Sequence, residues 1–159
     1  MTIIAYRKGV MASDGQVTEG NSIFTTKKQK IHRLKNGGLL GSAGDADDND
    51  LVDLVNRNIG KALTHKKLQS LEFEFAAILV DPDGSVHVIE TLLNEDSQKW
   101  RSAMYQIKEQ FVAVGSGAAW AMGAMDRGAT AEQAVKTAIK FDTNCGGAVQ
   151  VYKLEEDIE

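Results

Sequence analysis

Over the first forty-five residues the apolar positions fall in short runs separated by turn-forming residues. Thr2–Tyr6 and Val10–Asp14 read as two strands joined at Arg7-Lys8-Gly9. Lys30–Leu34 and Leu39–Ala43 form a second pair around Lys35-Asn36-Gly37-Gly38. Asn-Gly between apolar runs supplies the positive-φ residues that a tight hairpin needs. From Asp45 the period changes. Leu51, Val55, Ile59 and Ala62/Leu63, flanked by Val52 and Leu54, make a helical stripe. The acids before it, Asp45, Asp47, Asp48 and Asp50, suit the positive end of a helix dipole. Strands return at Phe73–Asp81 and Val86–Leu92, linked by Pro82-Asp83-Gly84-Ser85. Phe73, Phe75 and Ala77 alternate with Glu72 and Glu74, whereas the continuous run Ala76–Val80 predicts burial on both faces.

A polar stretch at Asn94–Lys99 precedes an extended segment that ends in Phe111–Val114. Gly115-Ser116-Gly117 then opens a small-residue helix, Ala118–Arg127, which Gly128 stops. Thr130 with Gln133 is a capping box for a helix over Ala131–Phe141. A final strand, Ala148–Leu154, leads into the acidic tail Glu155–Glu159. Grouped antiparallel hairpins and grouped helices predict a layered α+β fold rather than a doubly wound sheet. No linker or repeat divides the chain, so residues 1–159 are expected to form one domain.

Composition narrows the function classes. The net charge of −4 gives no footprint for nucleic acid, because acids elsewhere dilute Lys27, Lys28 and Lys30. The single cysteine, Cys145, rules out an internal disulfide and a multi-cysteine metal site. No apolar run approaches the ~20 residues that span a bilayer. The apolar stretch in MTIIAYRKG is too short for a secretory signal, so a cytoplasmic location is expected. Asp45-Ala46-Asp47-Asp48-Asn49-Asp50 imitates a calcium loop but has Asp50 where glycine is required and Asn56 where a glutamate should close the loop. Gly115-Ser116-Gly117 lacks the third glycine of a dinucleotide fingerprint, since position 120 is Trp120. His32, His65 and His87 have no metal-ligand spacing, and His32 is expected to flank a pocket wall. No metal or organic cofactor is expected.

Thr2 is the residue on which chemistry can be built. Removal of Met1 would leave a free α-amine beside a hydroxyl. Threonine is a weak nucleophile that needs a base. An α-amine with an ordinary pKa of about 7.7–8.0 titrates near working pH and can act as one. A neighbouring ammonium would depress that amine, a carboxylate would orient the ammonium, and backbone N–H groups would hold the oxyanion.

Five blocks, in order, supply such groups. They are Asp14-Gly15-Gln16-Val17-Thr18-Glu19-Gly20-Asn21, Lys30-Ile31-His32-Arg33-Leu34, Gly41-Ser42-Ala43-Gly44-Asp45, Val114-Gly115-Ser116-Gly117 with Met125-Asp126-Arg127-Gly128, and Asp142 with Cys145-Gly146-Gly147-Ala148-Val149 and Tyr152. Together with Thr2 they resemble the proteasome β-subunit and HslV family of N-terminal-threonine hydrolases, over most of the chain except about 63–110. The resemblance implies a four-layer αββα sandwich and peptide hydrolysis through an ester on Thr2. Lys30 would lower the amine's pKa, Asp14 would pair with Lys30, and the Gly41 N–H would hold the oxyanion. Ser116 and Asp142 would hydrogen-bond around the amine and a water. Thr18, Leu39 and Ala43 would pair with substrate and line its pocket.

The resemblance also implies a homo-oligomer of rings or stacked rings, acting on peptides or unfolded protein. A separate ATP-dependent unfoldase would feed it, because this chain has no nucleotide-binding motif. Neither nucleic acid nor membrane is an expected partner. The rival readings are an amidase of the same fold acting on small amides, and a non-catalytic assembly subunit. Two features depart from the pattern: Thr2 to Asp14 is several residues shorter than usual, and Cys145 stands where proteasome subunits have serine.

Overall fold

The computed structural model describes residues 2–44 and 47–155. Met1, Asp45 and most of the acidic tail therefore lie outside the described residues. Strands β1 (Ile3–Arg7) and β2 (Val10–Ser13) form the first hairpin. Its turn is only Lys8-Gly9, at φ 49° and 78°, two positive values that match the right-handed twist of the flanking strands. Arg7 opposes Val10 and Ile4 opposes Ser13, so the faces of both arms keep their sense.

A small hairpin, β3 (Val17–Glu19) and β4 (Ser22–Thr25), projects beyond this pair. Strands β5 (Ile31–Arg33) and β6 (Leu39–Gly44) follow. Helices α1 (Asn49–Arg57) and α2 (His65–Gln69) precede β7 (Phe75–Val80), β8 (Val86–Asn94), β9 (Lys99–Ile107) and β10 (Phe111–Gly115). Helices α3 (Ala118–Asp126) and α4 (Ala131–Phe141) and strand β11 (Gln150–Lys153) complete the described chain. One antiparallel sheet has the order β10-β1-β2-β11 and the other β5-β6-β7-β8-β9.

Strand periodicity builds the layers. On β1, Ile4 and Tyr6 face the opposite sheet, while Ile3 and Ala5 face α3 and α4. On β7, Ile78 and Val80 point between the sheets, whereas Ala77 and Leu79 pack towards α1 and α2. Three apolar layers thus separate four layers of secondary structure, the αββα sandwich expected. Each of Ile4, Met11, Leu39 and Ile78 is fully buried, contributing about 1.5–3 kcal/mol of apolar transfer apiece.

Several elements differ from the sequence reading. Helix α1 ends at Arg57, and Ile59, read as part of its stripe, is 37% exposed. Residues 58–64 form turns and irregular chain instead of the end of that helix, and a separate short helix, α2, follows, capped by Thr64 Oγ1 accepting from Lys67 N–H at 3.2 Å. The extended segment before Val114 is two strands belonging to different sheets. The β3–β4 hairpin has no buried face and hence leaves little apolar alternation to read.

Candidate active site

Thr2 precedes β1 and is 6% exposed. Its carbonyl accepts from Gly117 N–H and Ser116 Oγ–H, each at 3.5 Å. Gly115 lies opposite Ile3 at φ +104°, and a Cβ there would stand 2.0 Å from the Thr2 carbonyl oxygen. Only glycine allows β10 to pass this close to the chain start.

Asp14 follows β2 and is wholly buried. Its Oδ1 accepts from Ile3 N–H at 3.2 Å and from Lys30 Nζ at 2.8 Å; its Oδ2 accepts from Gly146 N–H at 3.1 Å. Lys30 precedes β5, and its backbone N–H is fixed by Gln150 Oε1 at 3.2 Å. The Lys30 ammonium donates to Thr2 Oγ1 at 2.7 Å, Asp14 Oδ1 at 2.8 Å and Gln16 O at 2.6 Å. An ammonium has three hydrogens, and all three have an acceptor. Burial pushes the Lys30 pKa below its ordinary 10.5, and the Asp14 carboxylate opposes that shift without reversing it.

The three loops carrying these groups are tied together by their backbones. Gly15 N–H donates to Gly146 O at 3.1 Å, Lys28 N–H to Gly15 O at 2.8 Å, and Ala148 N–H to Thr26 O at 2.8 Å. Thr2 and Gly44 sit between two cavities. The larger, about 670 Å³, is bounded by Gln16, Thr18, Phe24, Ser42 and Asp48. The smaller, about 390 Å³, is bounded by Ala43, Ala76, Glu90, Gly115 and Ser116. An enclosed hydroxyl beside a held ammonium, between two open subsites, fits attack on an extended chain lying across Thr2.

No protein-family model matches the chain. Over 63 residues, 36% of this chain and 36% of the relative, it is 40% identical to the ATP-dependent protease subunit HslV of Campylobacter concisus. Over 66 residues, 38% of this chain and 37% of the relative, it is 39% identical to the same subunit of Campylobacter curvus. The chain thus spans little more than a third of the length of the curated relatives it matches. In three dimensions 95% of it superposes on 97% of the eukaryotic HslV of Trypanosoma brucei, with a TM-score of 0.67 and 18% identity. The chain has the HslV fold. The likeness to HslV that the ordered motifs carry therefore extends to both sheets and both helical layers.

Within this HslV fold, Thr2, Asp14 and Lys30 are brought together, Thr18 borders the larger cavity, and Ala43 borders the smaller. Two placements are corrected. Leu39 is fully buried between the sheets, opposite Val80 and Arg33, and borders neither cavity. Gly41 also lies in that interior. A Cβ on it would meet Ile4 Cγ2 at 2.6 Å and Met11 Sδ at 2.7 Å. Ser42 N–H donates to Lys30 O at 3.1 Å. By strand alternation the Gly41 N–H is therefore directed to β7, away from Thr2.

Ser116 reaches the Thr2 carbonyl as described, and its Oγ lies 3.6 Å from Cys145 Sγ. Asp142 is further away. Its carboxylate accepts from Asn144 N–H at 2.8 Å and makes no hydrogen bond to Thr2 or Ser116 among the described residues. His32 does not border the larger cavity itself; its Nε2 lies 2.9 Å from Oδ2 of Asp48, which does. Gln16, Gly146 and Gln150 were not singled out as site residues. Gln16 and Gly146 act through backbone atoms, which leave no side-chain pattern to read. Gln150 carries its role only through a fold-dependent contact.

Burial pushes the Cys145 thiol up to about 11, with Asp142 adding to the rise. It is a packing residue, 5% exposed against α3 and α4, rather than a nucleophile. Alkylation by iodoacetamide at pH 8 is expected to run at least about two orders of magnitude slower than for an exposed thiol. Intact-mass time courses would check this. A rate matching free cysteine would contradict the assignment.

Proposed function

We propose that the chain is a threonine peptidase subunit of the HslV type, hydrolysing peptide bonds through Thr2 once Met1 is removed. The observation that carries this reading is the Lys30 ammonium, 2.7 Å from Thr2 Oγ1 and held by buried Asp14. In the proposed reaction Thr2 Oγ1 attacks the scissile carbonyl carbon while the freed α-amine takes the hydroxyl proton. The tetrahedral oxyanion collapses, the amine returns the proton to the departing nitrogen, and an ester remains on Thr2. Water then attacks the ester with the same amine as base. Lys30 keeps positive charge beside the amine and Oγ1, favouring the neutral amine and the developing oxygen charge.

Gly44 replaces Gly41 as the oxyanion donor in this scheme. Alternation from Ser42 directs the Gly44 N–H to the same side as Ser42 N–H, past the end of β5 and into the space bordered by Thr2. Gly44→Ala and Gly41→Ala separate the two positions. A Cβ at Gly44 would meet Glu74 O at 2.6 Å and shift the strand end. That variant is expected to lose roughly 10²-fold in kcat. Gly41→Ala overpacks Ile4 and Met11 and is expected to cost about 1–3 kcal/mol of stability. Denaturant titrations and peptide kinetics on both proteins would read this. A larger kcat loss in Gly41→Ala, with its stability intact, would return the donor to Gly41.

The assembly proposed with this activity is a ring, or stacked rings, of identical subunits in the cytoplasm, with an unfoldase on a separate chain supplying unfolded protein. Intact mass of purified protein, measured alongside hydrolysis of a fluorogenic peptide amide, tests the core of the reading. Loss of Met1 together with turnover supports it. Turnover by chains that all retain Met1 would sink the free-amine mechanism.

A further inference from the structure

The smaller cavity beside Thr2 has a composition that its position does not explain. Ala43, Ala76, Glu90 and Ala103 lie side by side in register across β6, β7, β8 and β9. This row is on the face towards the opposite sheet, since Val86 and Val88 on β8 and Ile78 and Val80 on β7 fill the inter-sheet core. Towards Thr2 the core stops, the flanking side chains shrink to methyl groups, and a carboxylate occupies the row. Glu90 is half-buried, and its carboxylate has no hydrogen-bond or ion-pair partner among the described residues. At the mouth, the exposed Glu74 carboxylate accepts, among the described residues, from Leu93 N–H alone, at 3.3 Å. Among the described residues no basic side chain borders this cavity. Arg101, opposite Leu92 on the same face, is exposed and outside it.

A carboxylate placed on the inner face of a sheet loses hydration and gains nothing from the surrounding alanines. Its position is accounted for if an occupant brings the missing charge. The cavity opens on Thr2, with Gly115 and Ser116 on its far wall. It can therefore receive a side chain of the substrate close to the bond being cut. Building on the peptidase reading, we infer that this cavity selects a lysine or arginine side chain of the substrate, with Glu90 as the specificity-determining group. The alanine row leaves room for the aliphatic stem, Glu90 meets the charged end, and Glu74 adds negative potential at the entrance.

Peptides that differ only in lysine, norleucine or glutamate, at each position within three residues of the scissile bond, provide the test. At one position the wild-type protein is expected to favour lysine over norleucine by roughly tenfold in kcat/KM. Glu90→Gln should bring that ratio close to one, and Glu90→Lys should turn the preference towards glutamate. Anisotropy of the same peptides, labelled and bound to Thr2→Ala protein, reads the preference without chemistry. If wild type hydrolyses no peptide, the peptidase reading falls while binding still decides the cavity. Equal lysine and norleucine values at every position overturn the inference. So does a lysine preference that survives in Glu90→Gln.

Discussion

Thr2→Ala is expected to lower peptide hydrolysis by at least about three orders of magnitude while the protein stays folded. The substitution removes the hydroxyl and the γ-methyl group from a residue that is 6% exposed. The main structural loss is the acceptor for one Lys30 hydrogen, costing about 1–3 kcal/mol. The backbone of Thr2, tied to Ser116 and Gly117 through its carbonyl, is untouched. Thr2→Ser keeps the oxygen and the α-amine and should retain measurable turnover, which Thr2→Ala should not. Kinetics and thermal melts on both variants would check the pair. Near-normal hydrolysis by Thr2→Ala would show that the nucleophile lies elsewhere.

How much of this site was legible depended on whether a residue works through its side chain or its backbone. Thr2, Asp14 and Lys30 act through side chains in ordered motifs, and the fold delivers them to one another. The first hairpin closes in two residues, Lys8-Gly9, and Asp14 at its end reaches Lys30. The proposed oxyanion donor was harder. Gly41 and Gly44 are equivalent in sequence terms, and only the Ser42–Lys30 hydrogen bond reveals which amide faces out of the sheet. Leu39 was misplaced for a related reason, since a strand buried on both faces gives no alternation to show which side chains reach the site. Helix α4 illustrates the opposite case. Thr130 and Gln133 cap one another locally, so its Ala131 start needed no tertiary information. Glu90 stood unnoticed in an apolar run until the register placed it among alanines.

Lys30→Ala is the second large expectation, and it strikes stability as well as turnover. Asp14 is completely buried, and removal of Lys30 leaves its charge with only the Ile3 and Gly146 amides. An uncompensated buried carboxylate of this kind costs about 3–5 kcal/mol, enough to unfold a marginal domain. Loss of activity alone would therefore not assign a catalytic role. The double variant Lys30→Met with Asp14→Asn removes both charges and keeps most of the volume. It should recover much of the stability and none of the hydrolysis. Stability against pH gives a further check with a defined sign. The Lys30 pKa is lowered in the folded protein, so the unfolded chain holds that proton to higher pH. Unfolding free energy from Lys30 therefore climbs as pH rises from its folded pKa towards 10.5, where the unfolded state binds more protons. Denaturant titrations should show this rise in wild type relative to the double variant. A recovered double variant that hydrolyses peptides normally would reduce Lys30 to a structural partner of Asp14.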